Sequence, residues 1–152
     1  GLKFEDLTRV IFNKIGFNVD EKLKNTLNTT KDKIDVLLNL GNDEIIIVEC
    51  KTSKESSYNK FSAVSRQLKS YQSLALKNNL RVIKVLLIAP DFSEDFVSDC
   101  EMDTELNLSL ITASTLSKIV GVFKLSKHKI FPHILFRDVI INEERILKAL
   151  IK

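Results

Sequence analysis

Residues 45–48 and 82–89 of this chain are apolar at every position except Lys84. A strand with one face in water would alternate polar and apolar side chains; 82–89 does not, which predicts a buried, central position, and 45–48 reads as a wholly apolar strand. Strands of that kind need helices on both sides of their sheet, and the surrounding pattern supplies them. Residues 3–15 carry Phe4, Leu7, Ile11 and Ile15 at helical spacing, with Gly16 as the stop. Residues 58–78 place Phe61, Val64, Leu68, Tyr71 and Ala75 on one stripe. Residues 34–40 and 44–51 flank Gly41-Asn42-Asp43, which predicts a hairpin around a three-residue turn. A short strand at Phe17 and Val19, a loop over 25–30, an acidic helix over 92–104, a strand over 108–112 and a helix over 114–125 complete the expected order. The last residues predict a strand near Ile134 and a helix opened by Asn142-Glu143-Glu144. The fold class is α/β, a central mixed β-sheet flanked by α-helices.

At 152 residues, without repeats or Pro/Gly linkers, the chain is expected to be one domain over 1–152. Its opening Gly-Leu-Lys fits a whole processed protein or a domain excised from a larger chain. No apolar run is long enough to span a bilayer, so no membrane association is expected. Cys50 and Cys100 have neither metal-site nor disulfide spacing, which points to a reducing, cytoplasmic setting. Charge is unevenly spread. Residues 90–113 hold seven acids and no Lys or Arg, whereas residues 52–84 hold seven cations against Glu55 alone. A basic band beside an acidic block suggests a polyanionic partner on one side of the molecule, with the acidic helix facing away from it.

Most catalytic chemistries lack parts. Four glycines form no phosphate-binding loop, and His128 and His133 have no nucleophile or second ligand at useful spacing. Carboxylates and lysines remain. Glu49-Cys50-Lys51 ends an otherwise apolar strand, so Glu49 and Lys51 share one face and Cys50 takes the other. With the turn centred on Asn42, antiparallel partners have residue numbers summing to 84, which sets Asp35 opposite Glu49. Opposed side chains have Cβ atoms roughly 4.5–5.5 Å apart, and like charges there destabilise a ladder unless a cation lies between them. Two carboxylates beside a lysine form a natural oxygen-rich Mg²⁺ site.

Asp35 followed by Glu49-Cys50-Lys51 on the next strand resembles the PD-(D/E)XK nuclease superfamily. The helix bearing Glu5, the hairpin and the basic helix after the motif fall in that family's order, over roughly residues 3–112. Gln67-Leu68-Lys69-Ser70-Tyr71 resembles the QxxxY element of several branches. Ile34 stands where the family motif has proline, a departure found in resolvase-like and Mrr-like branches. Asp32 is a second candidate acid that fits the register less well.

The resemblance implies a restriction-endonuclease-like core and a Mg²⁺-dependent DNA endonuclease, with Mn²⁺ as a substitute. Asp35, Glu49 and the Cys50 backbone carbonyl would hold the ion, with Glu5 as an additional ligand. Lys51 would act on the attacking water and the phosphate, and Gln67 would orient Lys51 or a phosphate. Tyr71 is expected in the core. Lys54, Lys60 and Arg66 are candidate phosphate contacts on double-stranded DNA. The nearest likeness is the cleavage domain of a type IIS or Mrr-like restriction enzyme, working as a homodimer or with a separate DNA-recognition domain or subunit. A Holliday-junction resolvase and a catalytically inactive nucleic-acid-binding module of the same fold are the alternatives.

Overall fold

The computed structural model describes residues 2–52 and 58–151. Lys54, a candidate phosphate contact, lies outside the described residues. The chain runs α1 (Leu2–Lys14), β1 (Asn18–Val19), α2 (Glu21–Leu27), β2 (Val36–Gly41), β3 (Glu44–Cys50), α3 (Tyr58–Lys77), β4 (Arg81–Ala89), α4 (Glu94–Met102), β5 (Leu108–Thr112), α5 (Ala113–Phe123) and α6 (Glu143–Ile151), with a single 3₁₀ turn at His133–Leu135 before α6. Five strands form one mixed sheet in the order β1-β2-β3-β4-β5. The first three are antiparallel neighbours, and β3, β4 and β5 run parallel. Among the described residues no helix is long and apolar enough to cross a membrane.

Strand alternation divides the core into two layers. Ile46, Val48, Leu86 and Ile88 pack beneath α1, α5 and α6 with Phe12, Ile119 and Ile146. Ile45, Ile47, Val85 and Leu87 pack on the other face with Leu68, Tyr71 and Phe96 from α3 and α4. This two-sided burial is why β3 and β4 show no polar alternation. Successive parallel crossovers in one direction put α3 and α4 on the same side of the sheet. Phe96 of α4 meets Phe61 of α3 edge-on at 5.9 Å between ring centroids. The acidic α4 therefore lies beside the basic α3, and Lys69 pairs with Asp103 and Glu105 at 3.4 and 3.2 Å.

Three local expectations need correction. The loop expected over 25–30 begins inside α2, whose N-terminus is capped by the Asp20 carboxylate accepting from the Leu23 amide at 2.9 Å. Two helical turns with one buried residue, Leu27, leave too little periodicity to recognise. The hairpin turn has two residues, not three: Gly41 pairs with Glu44, and Asn42 and Asp43 both adopt positive φ, at 54° and 61°. That is the backbone a tight hairpin turn needs, and a register shift between Asn39 and Gly41 absorbs the extra residue. The strand expected near Ile134 is the 3₁₀ turn. Phe131 and Phe136 anchor it against Phe17, each with ring centroids 6.3 Å from that ring. The extended backbone comes later, where Leu110 N–H donates to the Val139 carbonyl and Ile141 N–H to the Leu110 carbonyl, at 2.6 and 2.9 Å. These bonds bridge the free edge of β5 at Leu110.

Gly16 ends α1 at φ +94°, and a Cβ there would run into the Lys129 carbonyl oxygen and lie 2.8 Å from Ile130 Cα. The Phe131 amide donates to the Ile15 carbonyl at 2.8 Å, so the two backbones are joined at this point. Gly16→Ala is expected to lower the unfolding free energy by about 1–3 kcal/mol, through backbone strain and displacement of the 129–131 segment. Urea denaturation of parent and variant measures this directly; equal midpoints would mean that the 129–131 segment is not held against α1.

Candidate active site

The β2–β3 ladder pairs Val36 with Val48 and Leu37 with Ile47, the register that sums to 84. Asp35 is the residue immediately before β2, not within it, and the same register carries it opposite Glu49. Its Oδ2 accepts the Cys50 amide at 2.9 Å, so a side-chain carboxylate takes over where the backbone ladder stops. The Asp35 carbonyl accepts from Arg9 Nη1 at 3.3 Å and from Lys24 Nζ at 3.5 Å. Helices α1 and α2 thus each send one cation to the backbone of this aspartate. Sequence reasoning reaches neither residue, because nothing local links Arg9 or Lys24 to Asp35. Asp32 stays outside the ladder, in a turn where its amide donates to Thr29 Oγ1 at 2.9 Å.

Glu49 is only 3% exposed, although a carboxylate is rarely buried without a partner. Its Oε2 lies 3.3 Å from Lys51 Nζ. Its Oε1 is buried with no hydrogen-bond partner among the described residues. Burial first, and then repulsion from the Asp35 charge, push the Glu49 pKa up to about 8. Lys51 opposes this shift without cancelling it. Glu5 reaches the same cluster from α1, and its pKa is also raised, by burial and then by Asp35. The Cys50 side chain points to the other sheet face, its thiol donating to Thr8 Oγ1 at 3.6 Å. Burial drives that thiol up to about 12, which removes it as a nucleophile at neutral pH. Only the Cys50 backbone remains on the site's side, fixed by Asp35 and by the next amide, Lys51 N–H, which donates to the Ile88 carbonyl at 2.8 Å.

The donor set fits a small hard cation. A buried carboxylate oxygen without a partner, beside a second carboxylate, is stabilised by positive charge placed between them. Among the described residues no group of three or more His, Cys, Asp and Glu side chains forms a ready-made metal cage. Mg²⁺ does not require one, since it keeps several waters and is commonly held by one or two carboxylates. Asp35 and Glu49 supply those two, with Glu5 adjoining Asp35.

Lys51 is positioned by a chain of hydrogen bonds across the layer. Its Nζ donates to Gln67 Oε1 at 3.3 Å, Gln67 Nε2 donates to Tyr71 Oη at 2.9 Å, and Tyr71 Oη donates to the Lys33 carbonyl at 2.7 Å. The direction is forced at the far end. A carbonyl can only accept, so the tyrosine hydroxyl gives its proton there and offers a lone pair to the Gln67 amide. That turns the Gln67 oxygen toward Lys51. Tyr71 is 1% exposed, a core residue as expected, and its hydroxyl also ties α3 to the segment just before Asp35. Arg66 is exposed one position before Gln67 and lines a cleft of about 410 Å³ with Lys51, Gln67, Lys31 and Asp32. Lys60, exposed in the first turn of α3, is not part of that wall.

The raised Glu49 pKa has a stability consequence in chelator. The native state holds this proton up to about pH 8, whereas the unfolded chain releases it near pH 4.5. The contribution is therefore complete below pH 4.5 and is lost as pH rises toward 8. At about 1.4 kcal/mol per pKa unit the loss is on the order of a few kcal/mol. Urea denaturation in EDTA between pH 5 and 8.5 should show this decline in the parent and a much flatter profile in Glu49→Gln. Parallel profiles would mean that Glu49 is not the titrating group.

The chain matches no protein-family model, no curated protein and no solved structure. The functional reading accordingly stands on the geometry of Asp35, Glu49, Lys51 and Gln67 and on the resemblance carried by their order in the sequence.

Proposed function

We propose that this chain is a Mg²⁺-dependent DNA endonuclease domain of the restriction-endonuclease-like type, nearest to the cleavage domain of a type IIS or Mrr-like restriction enzyme. The observation that carries the reading is the buried, unpartnered Glu49 Oε1 opposite Asp35, with Lys51 held beside it. Asp35, Glu49 and the Cys50 carbonyl would hold the ion, with Glu5 as a further ligand. When bound, Mg²⁺ supplies Lewis-acid polarisation of the scissile phosphate and lowers the pKa of a coordinated water.

The chain's own residues supply the rest. Lys51 orients the attacking water and offsets the negative charge that grows on the phosphate oxygens. Gln67, held by Tyr71, keeps the ammonium near the carboxylates instead of letting a flexible side chain swing into solvent. Water adds to phosphorus in line with the departing 3′-oxygen, which takes up a proton, leaving 5′-phosphate and 3′-hydroxyl ends. Sequence recognition then falls to a partner domain or subunit, and cutting both strands of a duplex with one such site per chain favours a homodimer.

Supercoiled plasmid in Mg²⁺ against EDTA is the direct test. Lys51→Ala should abolish nicking while retaining Mn²⁺ binding by calorimetry, because the lysine acts on water and phosphate and does not hold the ion. Asp35→Ala should lose both. If Lys51→Ala nicks at a rate near the parent's, the endonuclease assignment falls.

Tyr71→Phe separates positioning from packing. The ring still fills the core, but Gln67 loses its anchor, so kcat should fall on the order of 10- to 100-fold with Mn²⁺ affinity unchanged. Loss of the buried hydroxyl's bonds should cost about 1 kcal/mol of stability. An unchanged kcat would make the hydroxyl purely structural.

A further inference from the structure

The cleft that opens at Lys51 and Gln67 does not stop there. A second cleft, of about 440 Å³, continues along α3 and shares Lys31, Asp32, Arg66 and Ser70 with the first, ending at Ser73 and Lys77. Arg66, Ser70, Ser73 and Lys77 are spaced four, three and four residues apart, so they form one outward stripe on the helix. The inward stripe, Val64, Leu68, Tyr71 and Ala75, is buried in the core. Facing the outer stripe is the loop before β2, which contributes Lys31 and Asp32.

Charge along this groove is not balanced by its surroundings. Lys31, Arg66 and Lys77 are exposed and form no ion pair among the described residues, in contrast to Lys69, which Asp103 and Glu105 hold. Asp32 is the groove's one acid. Between the two helical cations stand Ser70 and Ser73, small hydroxyl side chains that offer donors and leave room for a polymer backbone to approach. From Arg66 to Lys77 the helix rises about 17 Å. That corresponds to about five nucleotides at the 3.4 Å spacing of one B-DNA strand.

We propose that the groove between α3 and the loop before β2 seats the DNA backbone on one side of the cleavage position, with Lys31, Arg66 and Lys77 as its phosphate contacts. That DNA is the polyanion rests on the endonuclease reading; where it lies rests on the groove's own charges. Arg66, one of the phosphate contacts expected from the sequence, belongs to this groove. Its donors address phosphates, which position a duplex without reading it, so affinity here should not depend on base sequence.

The test is fluorescence anisotropy with a labelled 25-base-pair duplex in EDTA, repeated over a salt series and with a second duplex of scrambled sequence. The groove variant is Lys31→Gln with Arg66→Gln and Lys77→Gln. The control is Lys124→Gln with Lys127→Gln and Lys148→Gln, which removes the same charge elsewhere. The groove variant should bind at least tenfold more weakly, on both sequences alike. Its log–log salt slope should shrink by about 2–3, at about 0.9 for each phosphate that is no longer neutralised, while the control keeps the parent's slope. Thermal melts of all three proteins check folding, and Lys31→Gln and Arg66→Gln as single variants replace the triple if it melts early.

A parent that fails to bind, an unchanged slope in the groove variant, or equal losses in groove variant and control would each overturn the proposal. Nicking by the same proteins separates it from the nuclease reading. A parent that binds through the groove but never cuts leaves the groove standing and the nuclease reading overturned. A groove variant that binds and cuts like the parent does the reverse.

Discussion

The β2–β3 ladder pairs Val36 with Val48 and Leu37 with Ile47, and from that pairing follows the face on which every neighbouring side chain lies. Because side chains alternate, a slip of β3 by one residue would send Ile47 to the α1 side and turn Glu49 away from α3. The apolar residues of β3 are buried on both faces, so hydrophobicity alone selects the register weakly here. The tight Asn42-Asp43 turn and the Asp35 carboxylate on the Cys50 amide hold the two ends. The candidate site is thus built on the same pairing that organises the sheet.

Placing Glu49 at the end of that ladder costs stability. A carboxyl group is taken out of water, set near Asp35 and given one lysine 3.3 Å away. Apolar side chains fill the neighbouring positions: Ile47 precedes it on the same face, and Leu87 stands beside it on β4. Local conflict of this kind, set within an otherwise consistent core, marks where a functional site is expected, with support from packing elsewhere. The support is visible in the hydrogen bonds. Arg9 and Lys24 hold the Asp35 backbone, and Tyr71 holds the residue that holds Lys51.

Helix α3 joins these roles through its period. One stripe closes the core under β3 and β4, while the opposite stripe faces solvent. Gln67 lies between them, half-buried beside Arg66 on the exposed side and Leu68 on the buried side. A residue at that boundary can be anchored from within by Tyr71 and still reach Lys51 at the cleft. Helix α4 packs against the same helix through Phe96 and brings Asp103 and Glu105 to Lys69, so one cation of the basic band is neutralised within the fold.

Much of this was legible in the residue order, and the reason is that period and register are local properties. Apolar spacing locates α1, α3, β4 and β5; the numbering around Asn42 sets Asp35 opposite Glu49, a register that the two-residue turn reaches only through the shift between Asn39 and Gly41. Alternation alone sent Glu49 and Lys51 to one face and Cys50 to the other. Helix α2 has no such signal because two turns carry too little pattern, and the 3₁₀ turn has none because the phenylalanines that flank it answer to Phe17, more than a hundred positions away. Contacts between distant segments had no sequence signal: Arg9 and Lys24 on the Asp35 carbonyl, Tyr71 on Lys33, and Lys31 across the groove from Arg66. The sequence alone determined which side chains share a face. Only the tertiary structure decided which faces meet, because chain closure over tens of residues is set by the packing of the whole core.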